Sequence, residues 1–480
     1  MSITGAMSAA ISGLRATALG SELVSNNISN ALTPSYGRRE ISLSSLSYGA
    51  TGGVQVNGIT RHMNEGVVAD RRAADSAQQN SQTVVDFFTK IEDAIGIAGD
   101  EDSIGGRLAA FEQSLISAAS RPDAAERLSI AVSDANRLVE GLNLAAREIQ
   151  DLRTDADASI ADDVATLNTA LQQIEDLNGQ IASATATNRS SPALLDQRQV
   201  VLDTIGAIVP INVLARDNGA ITIYSEGGAI LLDDTAVTIG FERQNIVTEF
   251  QTLDAGTLSG LTLNGEELRT SALGGGSLEA HFAVRDTYGV EAQSQLDTIA
   301  RDLVERFEDP SIDTTRATGD AGLFTDAGAA FDATDEVGLS RRLTLNTAVD
   351  PDAGGEVWRL RDGVGAVTSG PSGDGTLLGD MLGALESARV PSSSSLGSNQ
   401  GSMADLMGAF NGSIAATRST NEQDLSFAAA RLNELTQLQL SDGVDTDQEL
   451  QNLLILEQAY AANARVIQAA EEMLDTLTRL

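Results

Sequence analysis

The sequence contains no cysteine. A disulfide, a thiolate metal site and a cysteine nucleophile are therefore excluded. Aromatics make up only 4% of its 480 residues, so any core must be built from Leu, Ile, Val and Ala. Proline is scarce, with 8 residues, whereas glycine is common, with 45. That balance suits long helices joined by Gly-bearing turns better than a Pro-rich linker protein. Lysine occurs once, at Lys90; the other cations are arginine. The formal net charge is −37. Such acidity disfavours nucleic acid as a partner, because phosphate contacts need Lys and Arg. It disfavours an anionic membrane surface for the same reason. Its plain reading is solubility and mutual repulsion of free monomers. No apolar run approaches the ~18 residues of a membrane span. The first twenty residues lack the basic and apolar regions of a cleaved signal peptide. These properties fit a cytoplasmic protein and fit equally one exported unfolded by a dedicated machine. The length allows two to four domains.

Both ends carry amphipathic periodicity. Met7, Ile11, Leu14 and Ala18 form a helical apolar stripe. Leu453, Leu456, Tyr460, Asn463, Ile467, Ala470, Leu474 and Leu477 alternate spacings of three and four, the signature of a coiled-coil seam. A terminal helix with an open seam is unstable alone, so the N-terminal stripe is its natural partner. Asn463 in the seam either fixes register or faces water.

Between the ends the pattern changes repeatedly. Segments 41–48 and 52–59 alternate and read as a hairpin. Helical patterns cover 65–97 and 104–119, the latter stopped before Pro122. Thirteen apolar positions from Leu138 to Ile181 keep helical spacing, with Gly141 the sole breaker between Pro122 and Asn178. A continuous helix of ~60 residues would span ~90 Å, ordinary for a fibre subunit and unusual for a compact enzyme. A further helix fits Pro192–Ile208. Residues 209–275 read as short strands, with a hairpin pairing 221–224 and 230–232. Helix returns over 277–309. A Gly- and Asp-rich, strand-like stretch runs to about Gly375, and 391–401 reads as a loop. Helix resumes over 402–440 and breaks at Ser441-Asp442-Gly443.

The expected fold is mainly α with a β-rich insertion, in an elongated multidomain chain. Residues 1–40 and 445–480 would form a terminal coiled-coil unit. Residues 41–208, 277–309 and 402–444 would form a helical domain, with 209–276 and 310–401 a β-rich outer insertion.

No constellation supports catalysis, and no cofactor or metal is expected. His62 and His281 each lack a second ligand at metal spacing. The turn Asp350-Pro351-Asp352-Ala353-Gly354-Gly355 has glycine and arginine where a calcium loop needs oxygen ligands. Gly274-Gly275-Gly276 lacks the Lys-Ser/Thr of a phosphate loop and reads as a flexible joint. Adjacent carboxylates such as Asp162 and Asp163 point apart on a helix.

Two terminal segments carry a family resemblance. Ser12-Gly13-Leu14-Arg15-Ala16, Ser25-Asn26-Asn27-Ile28-Ser29-Asn30 and Thr33-Pro34-Ser35-Tyr36-Gly37-Arg38-Arg39 resemble the N-terminal signature of the flagellar rod, hook and hook-associated axial proteins. Glu457 to Ile467, followed by Glu472-Met473-Leu474-Asp475-Thr476-Leu477, is similar to that family's C-terminal signature. The family pattern has glycine directly before the tyrosine; here Ser35 stands there and Gly37 follows. Rod and hook members turn to β structure soon after the first motif, whereas ~130 residues here are helical. Residues 52–61, Leu194-Leu195-Asp196-Gln197-Arg198 and Ser277-Leu278-Glu279-Ala280 with Arg285-Asp286 are similar to the hook-associated branch. The likeness covers about 1–310 and 402–480.

The resemblance implies a non-catalytic structural subunit at the junction of hook and filament, outside the cell, secreted without a cleaved signal peptide. It implies a ring of identical copies touching the hook protein and a second junction protein. An export chaperone and the flagellar type III secretion apparatus would handle the monomer. The terminal helices would pair as a coiled coil on assembly, through Leu14, Asn26, Asn27, Ile28, Asn30, Tyr36, Leu453, Leu456, Tyr460, Asn463, Ile467, Leu474 and Leu477. Competing readings are a hook or rod subunit, an unrelated long-helix scaffold, and an enzyme with a cofactor in the β insertion.

Overall fold

The computed structural model describes residues 3–48, 51–97, 99–187, 189 and 191–479. The chain starts with α1 (Ile3–Ser29) and a hairpin of β1 (Arg38–Tyr48) and β2 (Thr51–His62), paired antiparallel. Long helices follow: α2 (Glu65–Ile95), α3 (Ile104–Ser120), α4 (Ala125–Ala186) and α5 (Pro192–Ile208). Their starts obey capping chemistry. Asn64 and Ser103 accept from Val67 N and Gly106 N, and Pro192 opens α5, where a missing N–H costs nothing.

Two three-stranded sheets come next. One holds β3 (Ile211–Ala215), β4 (Ile221–Ser225) and β5 (Ile230–Leu232). The other holds β6 (Ile239–Gly240), β7 (Leu261–Leu263) and β8 (Glu266–Leu268). Then α6 (Gly276–Ala283) and α7 (Gly289–Glu308) are joined by a π-helical turn at Val284–Tyr288. That turn carries Arg285, which is fully buried against Asp157 at 2.6 Å, and its carbonyl accepts from Arg153 Nε at 2.8 Å. Beyond it lie β9 (Phe324–Asp326), α8 (Leu339–Arg342), β10 (Leu343–Leu345), α9 (Trp358–Asp362) and α10 (Thr376–Glu386). The chain closes with α11 (Met403–Ser441), opened by a Ser402–Asp405 capping box, and α12 (Thr446–Arg479).

The fold is mainly helical with small sheets, as the periodicity implied. The 62-residue α4 spans ~93 Å at ~1.5 Å per residue. It serves two apolar cores. Its first half packs with α2, α3, α7, α10 and the start of α11 around Phe111, Leu142 and Phe307. Its second half, from Ile160 to Ile174, packs with α5, α6 and both three-stranded sheets.

Two expectations need correction. Residues 310–401 are not β-rich. They hold two three-residue strands, short helices and turns, and they are not an outer appendage to the helices. Leu323, Phe324, Leu343, Leu345, Leu360 and Leu378 belong to the first core. Phe324 sits edge-on to Phe307 and Phe111, with ring centroids 5.0 and 5.9 Å away. Gly-rich turns here place single apolar anchors rather than build a sheet. Gly274–Gly276 is likewise no flexible joint. All three residues have positive φ, and a Cβ on Gly276 would lie 2.1 Å from the Ile208 carbonyl oxygen. Glycine is required there because backbone passes against backbone.

Candidate assembly surface and terminal joint

The site that the fold defines is the terminal unit and its attachment to the body. α1 and α12 pack antiparallel: Gly13 lies under Asn463 and Gly20 under Leu456. A Cβ at position 13 would fall 2.7 Å from Asn463 Nδ2, so glycine lets the helices close. The buried face of α1 is the small-residue one, Ala10, Gly13, Ala16, Thr17 and Gly20, widening to Leu23 and Val24. The stripe expected from periodicity is corrected here: Ile11 and Ala18 are exposed, and Met7 and Leu14 are half-buried. Close approach of two backbones, not large side chains, decides which face of α1 meets α12.

The C-terminal seam is only partly covered. Leu453, Leu456, Asn463 and Ile467 are half-buried and Ala470 is buried. Tyr460, Leu474 and Leu477 are exposed, the last two by 39% and 59%. Leu450, Leu454, Ile455, Val466 and Met473 are exposed as well. Leu480 lies outside the described residues.

The joint is built on Asn27, which is buried in the last turns of α1. Its Oδ1 accepts from Tyr36 Oη at 2.8 Å and Arg39 N at 3.0 Å, and its Nδ2 donates to Arg39 O at 2.9 Å. One side-chain amide thus fixes the turn and starts β1. Asn30 Nδ2 donates back to Asn26 O at 2.9 Å, tightening the helix end, and Asn26, Ile28 and Asn30 are half-buried around it.

The body meets this turn through Asp196 of α5. Its carboxylate accepts from Gly37 N at 3.1 Å, Arg39 Nη2 at 2.7 Å and Arg61 Nε at 2.7 Å. Gly37 is glycine because the Arg61 stem lies on it: a Cβ would sit 2.5 Å from Arg61 Cγ. Arg39 also stacks 4.9 Å above the Tyr36 ring. Burial raises the Tyr36 pKa; Arg39 opposes that, and the Asp196 and Glu449 carboxylates add to it. Nearby Arg198 is pushed down to about 10, by burial first and then by Arg61. Arg38 Nε reaches the buried Glu449 of α12 at 2.8 Å, and Gln439 of α11 donates to Pro34 O. Asp196, Arg61, Arg38 and Glu449 were not singled out as site residues. The first three lie inside segments that carry the resemblance, next to Arg198 of α5 and Arg39 beside Gly37, whereas Glu449 carried no signal.

Groups with catalytic chemistry are dispersed. Among the described residues no three His, Cys, Asp or Glu side chains are grouped to hold a metal ion. His62 lies by Glu40 at 3.3 Å and His281 by Asp163 at 3.9 Å, in separate places. Burial drops His281 to about 4 and lifts Asp163 to about 6, the latter opposed by Ser277. The Asp350 carboxylate caps its own turn by accepting from Asp352 N at 3.0 Å.

Comparison with known proteins agrees with this architecture. Residues 88–323 match the family model described as the flagellar hook-associated protein FlgK helical domain. Residues 441–480 match the C-terminal model of flagellar basal body rod FlgEFG proteins. The pairing of such a rod-type end with a helical body defines the class: a structural protein of the flagellar axis. Flagellar hook-associated protein 1 of Salmonella typhimurium is 26% identical, with 98% of this chain and 99% of that one covered. The Bacillus subtilis protein of the same name is 20% identical over 94% of this chain and 93% of its own. A solved structure, the flagellar hook junction protein FlgK from Burkholderia pseudomallei, is 20% identical with a TM-score of 0.44, covering 54% of this chain and 46% of that one. The chain is thus similar to flagellar hook-associated protein 1 over nearly its whole length, and its middle matches that protein's helical domain.

Proposed function

We propose that this chain forms the junction between hook and filament, as a non-catalytic subunit of a ring of identical copies. The observation that carries this is the unequal burial of the two parts of the molecule. The body has two complete cores, whereas α12 shows leucines on both its faces and α1 covers only one. A helix of that kind gains its remaining burial from neighbouring subunits.

In this reading, residues 1–40 and 445–480 form the inner-tube unit, ordered as a coiled coil on assembly. The helical domain of 41–208, 277–309 and 402–444, now including 310–401, forms the shell around it, and 209–276 lies outermost. The hook protein and a second junction protein are its axial neighbours. An export chaperone shields the exposed α12 leucines before passage through the flagellar type III apparatus. The finished subunit is extracellular. No helix among the described residues is long and apolar enough to cross a membrane, and the charge of −37 disfavours nucleic acid.

The test is a gene deletion with labelled complementation. Loss of filaments from complete hooks, with filament protein released into the medium, is expected, and an epitope-tagged copy should label one band at the hook's distal end. Label along the hook or within the rod would instead favour a hook or rod subunit.

A further inference from the structure

The hairpin leans on α1 and leaves a cleft beside it. Gly53 packs against Ser12, whose hydroxyl accepts from Val54 N at 3.1 Å. The cleft, of about 560 Å³, is lined by Met7, Ile11 and Arg15 of α1 and by Leu46, Val54 and Val56 of the hairpin. Its floor is apolar, and Ile11, Leu46 and Val56 are exposed. Arg15 is exposed and makes no ion pair or side-chain hydrogen bond among the described residues. The cleft opens away from α12, which lies on the Gly13 and Gly20 face.

A matching surface exists at the far end of the same chain. Continuing the register of Gly13 with Asn463 and Gly20 with Leu456 places Ile3, the first described residue of α1, opposite Met473. α12 runs on to Arg479. Glu471, Leu474 and Leu477 recur at helical spacing on one face of this end. Glu471 and Glu472 make no ion pair among the described residues, and Leu474 and Leu477 are exposed. This end offers leucines beside free carboxylates; the cleft offers an apolar floor beside a free guanidinium.

We infer that the cleft between α1 and the β1–β2 hairpin receives the C-terminal end of α12 from a second copy of this chain. Its own α12 cannot fill it, because that helix is continuous and projects past α1 on another face. The docking is head-to-tail: each copy gives one end and accepts another, so the contact propagates from copy to copy and closes a ring. Leu474 and Leu477 enter the apolar floor, and Glu471 or Glu472 meets Arg15. The inference rests on the ring assembly proposed above and names the surfaces that make it.

The absence of cysteine makes the test clean. A full-length chain carrying Ile11→Cys and Leu474→Cys is expressed in the deletion strain, and intact flagellated cells are oxidised. Within one chain the bond cannot form. Position 11 lies opposite 465 in the register, ~13 Å along the helix from 474, whereas a disulfide needs Cα atoms ~4.4–6.8 Å apart. A reducible ladder of dimers, trimers and higher multiples is expected. Adding Arg15→Glu should weaken the ladder about tenfold, and Glu471→Arg with Glu472→Arg should restore it. Circular dichroism of the Arg15→Glu monomer checks that it folds. Monomers only, in cells that still bear filaments, would overturn the docking while leaving the ring reading intact. A cross-link to a different protein would overturn the choice of partner. Absence of the chain from the hook's distal end would sink the ring reading itself.

Discussion

Removing the Asp196 carboxylate tests how the terminal unit is held to the body. Asp196→Ala takes away one acceptor shared by Gly37 N, Arg39 and Arg61, and leaves two guanidinium groups facing a small side chain. Charge-assisted hydrogen bonds contribute ~1.5–3 kcal/mol each when buried. Asp196 is 16% exposed and its two arginines 20% and 11%, so each ion-pair arm is discounted to about 1 kcal/mol. With about 1 kcal/mol for the amide bond, the joint loses ~3 kcal/mol. At ~1.4 kcal/mol per factor of ten, the undocked population rises about a hundredfold. The loss falls on docking and not on the cores, since Asp196 belongs to neither apolar cluster. Hydrogen exchange over residues 33–62 should therefore accelerate strongly. Trypsin should cut after Arg38, Arg39 and Arg61 well before it cuts the body, while the main thermal transition moves little. Asp196→Asn should fall between, because it keeps a neutral acceptor. Unchanged exchange over 33–62 would show that Asn27, Gln439 and Glu449 suffice. A large drop of the main transition without selective exposure would make Asp196 a core residue.

Other outcomes follow from burial. Leu474→Asp should alter the monomer's melting by less than ~0.5 kcal/mol, because the side chain is 39% exposed, yet leave cells without filaments; Ser441→Asp, outside the seam, should swim. A monomer that melts far lower would mean the position is already buried. Phe324→Ala should cost ~3–5 kcal/mol, and deleting 311–375 should prevent folding, since this stretch completes the first core; a normal denaturation midpoint would contradict that packing. Burial raises the Asp163 pKa to about 6 from 3.8. The folded state then holds the proton more tightly than the unfolded one, so this group's favourable contribution is complete below about pH 4 and is lost as pH climbs through 6. Asp163→Asn should thus stabilise the protein in urea titrations at pH 7.5 by up to ~3 kcal/mol and make little difference at pH 4; equal effects at both would refute the assignment.

Long helices were legible because each buries a regular stripe: the positions from Leu138 to Ile181 that predicted α4 are all buried or nearly so. The stretch 310–401 was not, because its apolar anchors follow turns and have no period to detect. The face of α1 was misread for a related reason. Apolar counting weighs Met7 and Ile11 above Gly13 and Gly20, whereas backbone approach favours the glycines. Asn27 and Tyr36 were found through resemblance alone. Asp196 and Glu449 act through partners 157 and 411 residues away in sequence, and no local pattern records such pairs.

The continuous α4 has a mechanical consequence. Its two halves nucleate different cores, so no linker separates the lobes. Bending one lobe against the other must break consecutive i to i−4 hydrogen bonds inside a packed helix, not merely swing a loop. Arg285 and Asp157, buried near its middle, resist twist at the point of greatest leverage. The body is thereby built as one continuous beam, and the terminal helices leave it at the Asn27–Asp196 joint and the turn between α11 and α12.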